Sequence, residues 1–220
     1  MGSGRRAGRP AEPVLTRADI ARAAHRRLTV VPPRHLRMSD LAADLDVRTA
    51  SLYNHVANKD DVLNAVRDIV GASMDRSTLA VRPWPAALRS FAHSYVEAFL
   101  PLHPEATAAI AVLPMGHQPA VMRTYDAFCT LLGDAGWPVD KIMPTLLALE
   151  SLCIGSVLDR RSPPGYMTPD DPRAVPAYAE AYAANLAASA EALDLGLDAL
   201  IDGLLVRYPV SAPDPNRSSP

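Results

Sequence analysis

Residues 39–59 read Ser39-Asp-Leu-Ala-Ala-Asp-Leu-Asp-Val-Arg-Thr-Ala-Ser-Leu-Tyr-Asn-His-Val-Ala-Asn-Lys59, and this stretch decides the fold. Behind Ser39, which is expected to cap it, a short helix turns Leu41, Ala42 and Leu45 inward. A turn falls at Asp46-Val47. A second short helix is predicted from about Thr49 to Val56. Val47, Leu52 and Val56 point inward there, while Thr49, Ser51, Asn54 and His55 point outward. Asn58 opens a third helix over roughly 59–76, with Asp61 three residues on in the manner of a capping box. Two short helices set steeply across a tight turn are what places one helix in the DNA major groove. Ala42 is small where the two must approach closely.

The pattern extends both ways. Thr16-Arg-Ala-Asp19 has the form of a second capping box, and Ile20, Ala24 and Leu28 recur on one face of the helix it starts. Pro32 and Pro33 end that helix. Downstream, Pro85, Pro104, Pro119 and Pro138 each precede an Ala/Leu-rich run, as proline does in a first helical turn. Helices are predicted near 85–101, 104–112, 119–135, 138–159, 174–190 and 191–207. No stretch alternates in the manner of a strand, so the expected fold class is all-α. The expected organisation is a flexible basic arm over 1–15, a three-helix DNA-binding unit over 16–62, a helical body over 63–208 and a disordered tail over 209–220.

Charge separates the same parts. Residues 1–70 carry 12 Lys/Arg against 8 Asp/Glu, and residues 71–220 carry 10 against 16. A basic first third on an acidic body suits a module that meets a polyanion, tethered to one that does not. Arg5, Arg6 and Arg9 lead into no apolar run, so no signal peptide is read there. The arm they form suits entry into a minor groove, or equally a loose terminus. The run at 142–158 is interrupted by Glu150, which argues against a membrane span. Cys129 and Cys153 lack CxxC spacing and read as buried thiols of a reduced, cytoplasmic protein. No cofactor is expected.

The match of Leu52-Tyr-Asn-His-Val56 with Asn58-Lys59 resembles the operator-reading segment of the TetR family of bacterial transcriptional repressors. The resemblance implies double-stranded DNA as partner, with Thr49, Ser51 and Asn54 at base edges and Tyr53, His55 and Lys59 at phosphates. Arg48 would contact backbone or base, and Ser39 and Thr16 sit at helix starts facing the same duplex. The family's usual glycine after Leu45 is here Asp46, for which a left-handed conformation costs roughly 1 kcal/mol more. Asn54 stands where a larger residue is commoner, so no operator sequence can be borrowed.

In the family the last helix pairs with an earlier long one to form a four-helix interface between two copies, which implies a homodimer. Here Leu193, Leu197, Leu200, Ile201 and Leu204 form an apolar stripe, and Leu146, Leu149 and Val157 lie in the predicted 138–159 helix. Gly196 and Gly203 flank the stripe and would let another helix approach. Asp194, Asp198 and Asp202 are spaced for a metal, but no His or Cys joins them, and a solvated face is the preferred reading. The helices over 85–135 are expected to enclose an effector pocket. Its candidate lining is Tyr95, Phe99, His103, Met115, His117, Met122, Tyr125 and Cys129, with Glu150 and Cys153 from the next helix. A carboxylate in an apolar helix must pair with an arginine or meet a ligand. The family's tetracycline-binding members carry a metal-binding histidine in the segment corresponding to 104–112, which here has none. A small, mostly apolar organic effector is therefore expected.

The rival is a helical-bundle enzyme using Glu150 and the histidines. No His-Glu-x-x-His, Gly-x-Ser-x-Gly, phosphate loop or paired Glu-x-x-His supports it. A regulator that has lost its ligand response is a third reading.

Overall fold

The computed structural model describes residues 15–184 and 188–209, so the basic arm with Arg5, Arg6 and Arg9 and nearly all of the expected tail lie outside the described residues. The described residues form ten α-helices and no strand. Helix α1 (Arg17–Leu28) starts at Thr16, whose capping box with Asp19 is complete on both sides. Ile20, Ala24 and Leu28 are fully buried on its inner face. A 3-10 turn over Pro33–His35 leads to α2 (Met38–Asp44) and then α3 (Thr49–Leu52).

Two sequence expectations need correcting here. Ser39 does not cap α2: the helix begins two residues earlier, at Met38, the cap position is Arg37, and the Ser39 hydroxyl only faces the Asp40 carboxylate at 3.4 Å. Helix α3 is also shorter than expected. It tightens after Leu52, where the amides of His55 and Val56 both reach the Leu52 carbonyl, at 2.9 and 3.1 Å. Four residues cannot hold a helix alone, and the burial of Leu52 and Val56 fixes this one from outside. Between the two helices Asp46 takes the left-handed conformation, φ 52°, that its turn position requires.

Helix α4 (Lys59–Ser73) runs from the N-terminal three-helix unit into the body. Asn58 caps it, accepting from the Asp61 amide at 2.9 Å. Asp61 does not complete the expected box. Its carboxylate takes the Ala57 amide at 2.9 Å and the Arg17 guanidinium at 2.5 and 2.7 Å. Arg17 in turn holds the Asp61 carboxyl below the usual carboxylate range. That clamp ties α1, α4 and the end of α3 together, and Arg27 does the same for α2 through Asp44, at 2.5 and 2.7 Å.

The body comprises α5 (Trp84–Phe99), α6 (Pro104–Val112), α7 (Pro119–Asp134), α8 (Val139–Arg160), α9 (Pro176–Ala184) and α10 (Ala188–Arg207). Its core centres on Leu88, Phe91, Phe128, Leu131, Leu132 and Leu146, all fully buried or nearly so. Trp137 packs edge-on to Trp84 at 5.3 Å and stacks on Tyr208 at 4.0 Å, fastening the end of α10 to the start of α5. Helix α8 is long and apolar enough to cross a membrane, but it packs against α5, α6, α7 and α10.

Helix α4 is gripped at three further points. Asp68 accepts from the Ala120 and Val121 amides at 2.7 and 3.3 Å, meeting the positive end of α7. A Cβ on Gly71 would come within 2.6 Å of the Val121 side chain and 3.3 Å of its backbone, so only glycine permits this crossing. Arg67 crosses to α6. At the other end of α6, the His103 amide donates to the Leu28 carbonyl at 2.7 Å, and Glu105 pairs with Arg34 of the 3-10 turn. Helices α4 and α6 are thus joined to both parts of the molecule.

Candidate nucleic-acid interface and ligand cavity

The outer surface of the helix-turn-helix is polar and its inner one is not. Leu52 and Val56 are buried, while Arg48, Tyr53 and Asn54 are exposed. Thr49, Ser51, His55 and Lys59 are half-buried on the flanks, with Lys59 the first residue of α4. The structure therefore brings these seven residues to one end of the molecule, beside exposed Ser39 and Thr16. The Thr16 hydroxyl is occupied by its own cap, donating to Asp19 at 2.5 Å. The His55 carbonyl sits 3.5 Å from the Arg17 guanidinium, so its position depends on the clamp.

A cavity of about 430 Å³ lies in the body, within the size range of small-molecule sites. Of the residues predicted to line it, Tyr95, Phe99, Met115, Tyr125 and Glu150 do so. The other five do not. His103 caps α6, its Nδ1 accepting the Glu105 amide at 3.2 Å. His117 and Met122 are exposed. Cys129 packs at the edge of the core, one turn beyond Tyr125. Cys153 points at α5, with its Sγ 3.8 Å from the Ala92 carbonyl, and burial pushes its thiol up to about 12.

Glu150 finds its donors among phenols. Tyr125 donates to its carboxylate at 2.5 Å and Tyr95 hydrogen-bonds it as well. Burial raises the Glu150 pKa, and the tyrosines and the charge of Arg67 offset that only in part. Burial likewise lifts Tyr95 and Tyr125 far above the ordinary phenol range. Because the folded chain holds the Glu150 proton more tightly than the unfolded chain does, this group favours folding at low pH. That contribution is lost as the pH rises through its elevated pKa. Glu150→Gln, which keeps an acceptor for both phenols, is expected to raise the melting temperature by about 2–4 °C at pH 8 and by less at pH 5. A difference that does not change with pH, followed by circular dichroism, would overturn this.

Sequence reasoning missed Arg67 of α4, Met74 at its C-terminal cap, Leu113, and Met143, Leu147 and Ile154 of α8 on the cavity wall. Arg67 left a signal: it lies on the buried face of α4 shared by Leu63, Val66 and Val70, where a cation must find partners.

The apolar stripe predicted to meet a second copy is instead internal. Leu146, Leu149, Val157, Leu193, Leu197 and Ile201 are all buried within the protomer, and Leu200 and Leu204 are half-buried, because α8 and α10 pack on each other and on α5. Gly196 serves that inner contact, since a Cβ there would lie 2.7 Å from Leu152. The aspartates of α10 also differ from expectation. Asp194 pairs with His93 at 2.9 Å and Asp198 pairs with Arg89, so both face α5. Among the described residues no cluster of three metal-ligating side chains exists. What α8 and α10 leave bare is the opposite side, with Ala148, Ser151, Gly155, Leu195, Ala199, Gly203 and Val206 exposed. Nothing lies within 4 Å of a Cβ built at Gly155 or Gly203.

No family model matches the chain. An HTH-type transcriptional regulator of Saccharopolyspora erythraea is 30% identical over 146 residues, a match that spans 66% of this chain and 61% of that protein. ActR of Streptomyces coelicolor superposes with a TM-score of 0.74 in its apo form, at 24% identity, covering 89% of this chain and 97% of that one. Its complex with (S)-DNPA, a TetR family protein by description, gives 0.72 at 25% identity over 89% and 100%. The chain has the TetR-family fold. A TetR variant of Acinetobacter baumannii bound to minocycline shares that fold, with a TM-score of 0.67 at 23% identity over 93% of this chain and all of that one. In that fold α1 to α3 make up the helix-turn-helix unit and the later helices the helical body.

Proposed function

We propose that this chain is a homodimeric transcriptional repressor of the cytoplasm, reading a palindromic operator with α3 and released by a small, mostly apolar effector. One observation carries the reading: α4 presents Lys59 beside the exposed face of α3 at one end and forms cavity wall through Arg67 and its capping residue Met74 at the other. An occupant of the cavity therefore touches the same helix that positions the DNA-reading segment. That meets the requirement for allostery, a shared element whose arrangement both partners bias. The relatives solved with small molecules bound support ligand response. The bare side of α8 and α10, small and apolar with two open glycines, supports pairing with a second copy about a two-fold axis. Such a pair can present two recognition helices roughly 34–36 Å apart.

Gel-shift titration against DNA upstream of the chain's own gene tests the reading. Specific affinity should fall steeply with added salt, as counterion release demands. Tyr53→Ala and Lys59→Ala should weaken binding to all sequences alike, while Asn54→Ala should cost about 1–3 kcal/mol at one or two base pairs and relax preference there. Equal losses of specific and non-specific binding in all three variants would refute this division of roles. Absence of any sequence-selective complex at low salt would refute the reading as a whole, and a complex indifferent to every cavity ligand would leave a regulator without effector.

A further inference from the structure

Arg67 is 7% exposed, and among the described residues its hydrogen-bond acceptors are all neutral. They are the carbonyls of Ile110 and Leu113 at the end of α6, the latter at 2.9 Å, and the Met115 thioether at 3.1 Å. The end of a helix favours a cation, but these groups bring no full negative charge to the guanidinium. Glu150, the acid on the same cavity wall, is taken up by two phenols and makes no ion pair with it. Glu150 acts on the guanidinium only through space, and a buried charge without a directly paired counter-ion is costly. A guanidinium is also the side chain best shaped to bind a planar anion through two parallel bonds. Around it, Tyr95, Phe99 and Tyr125 offer flat apolar walls.

We infer that the effector is an aromatic acid, whose carboxylate or ionised phenol binds Arg67 while its rings lie against Tyr95, Phe99 and Tyr125. This rests on the effector-responsive reading above and deepens it. It also assigns the triggering contact. An anion on Arg67 competes with the α6 carbonyls for the same N–H donors, so binding loosens the link between α4 and α6. Helix α6 is in turn tied to the DNA-binding unit through His103 to Leu28 and Glu105 to Arg34. Arg67 is thus both the specificity-determining residue of the cavity and the point where occupancy reaches α4.

Fluorescence titration of the full chain with three matched probes tests the inference: 2-anthracenecarboxylate, its primary amide, and 2-(aminomethyl)anthracene. The carboxylate is expected to bind at least about tenfold more tightly than the amide, and the amine most weakly. Arg67→Met should remove the carboxylate's advantage while keeping amide binding. Arg67→Lys, which retains the charge if the methionine variant does not fold, should keep a reduced preference for the acid. In gel shifts the carboxylate should lower DNA affinity of the unmodified chain and not that of Arg67→Met. Tightest binding of the amine, equal binding of acid and amide, no binding of any probe, or an acid preference that survives Arg67→Met would each overturn the inference. Acid-selective binding by a chain that forms no DNA complex would instead overturn the regulator reading and leave the Arg67 anion site standing.

Discussion

A charge placed on the bare side of α8 and α10, as in Gly155→Arg or Leu195→Glu, is expected to yield a monomer whose specific DNA affinity is lower by about a hundredfold or more. The size of the effect follows from bivalency. In a dimer the second half-site is engaged intramolecularly, and a monomer loses that gain entirely. Leu195 is 73% exposed and Gly155 has open space above it, so neither change disturbs the packing of the protomer. The helical content and melting behaviour of the monomer should therefore stay close to those expected for a folded chain. Analytical ultracentrifugation reads the oligomeric state and gel shift reads the affinity. A dimer that persists in both variants would place the interface elsewhere. The contrasting variant is Leu197→Glu, aimed at the buried stripe: it should unfold the body rather than separate two copies, because Leu197 is wholly inside the protomer.

The second large effect concerns Leu52. It is fully buried, and with Val56 it anchors a helix of only four residues. Leu52→Ala should cost about 2–5 kcal/mol, the range for deleting a buried leucine side chain with partial collapse of the cavity. The loss should be local. Helix α3 has too few internal hydrogen bonds to survive without its anchor, so the DNA-binding unit should open before the body melts, and operator binding should fall with it. Hydrogen exchange resolves the two: protection should drop at α1 to α3 and persist in α5, α7 and α8. Undiminished protection in the first three helices would show that the Arg17 clamp alone suffices to hold α3.

Much of this was legible beforehand, and for a common reason. The helix-turn-helix is a local structure. Its caps, turn and inward leucines lie within a few residues of one another, so Thr16, Asn58, Asp46 and Leu52 could be assigned from spacing alone. The helix boundaries of the body were marked by prolines that set φ and lack a donor, and Pro104 and Pro119 stand at helix starts as expected. The cavity was half legible. Glu150 was conspicuous as a charge in an apolar run, whereas the signal of Arg67, its place on the apolar face of α4, was the weaker one, since one arginine in a helix ordinarily reaches solvent.

What the chain determined by itself was therefore its succession of helices, the orientation of α3 with hydroxyls and amide outward, and the presence of an acid in need of donors. These depend on backbone propensity and periodicity, which act over one or two turns. Tertiary structure decided which side of a two-sided apolar helix is spoken for. Periodicity shows that Leu146 and Leu197 are buried but not by whom, and only the packing of α8, α10 and α5 made them internal and left Gly155 and Leu195 bare. It likewise decided that Arg67 turns inward to the carbonyls of α6 and forms no ion pair among the described residues. Burial of that kind arises from segments more than 40 residues apart meeting in space, a distance over which no local pattern carries information.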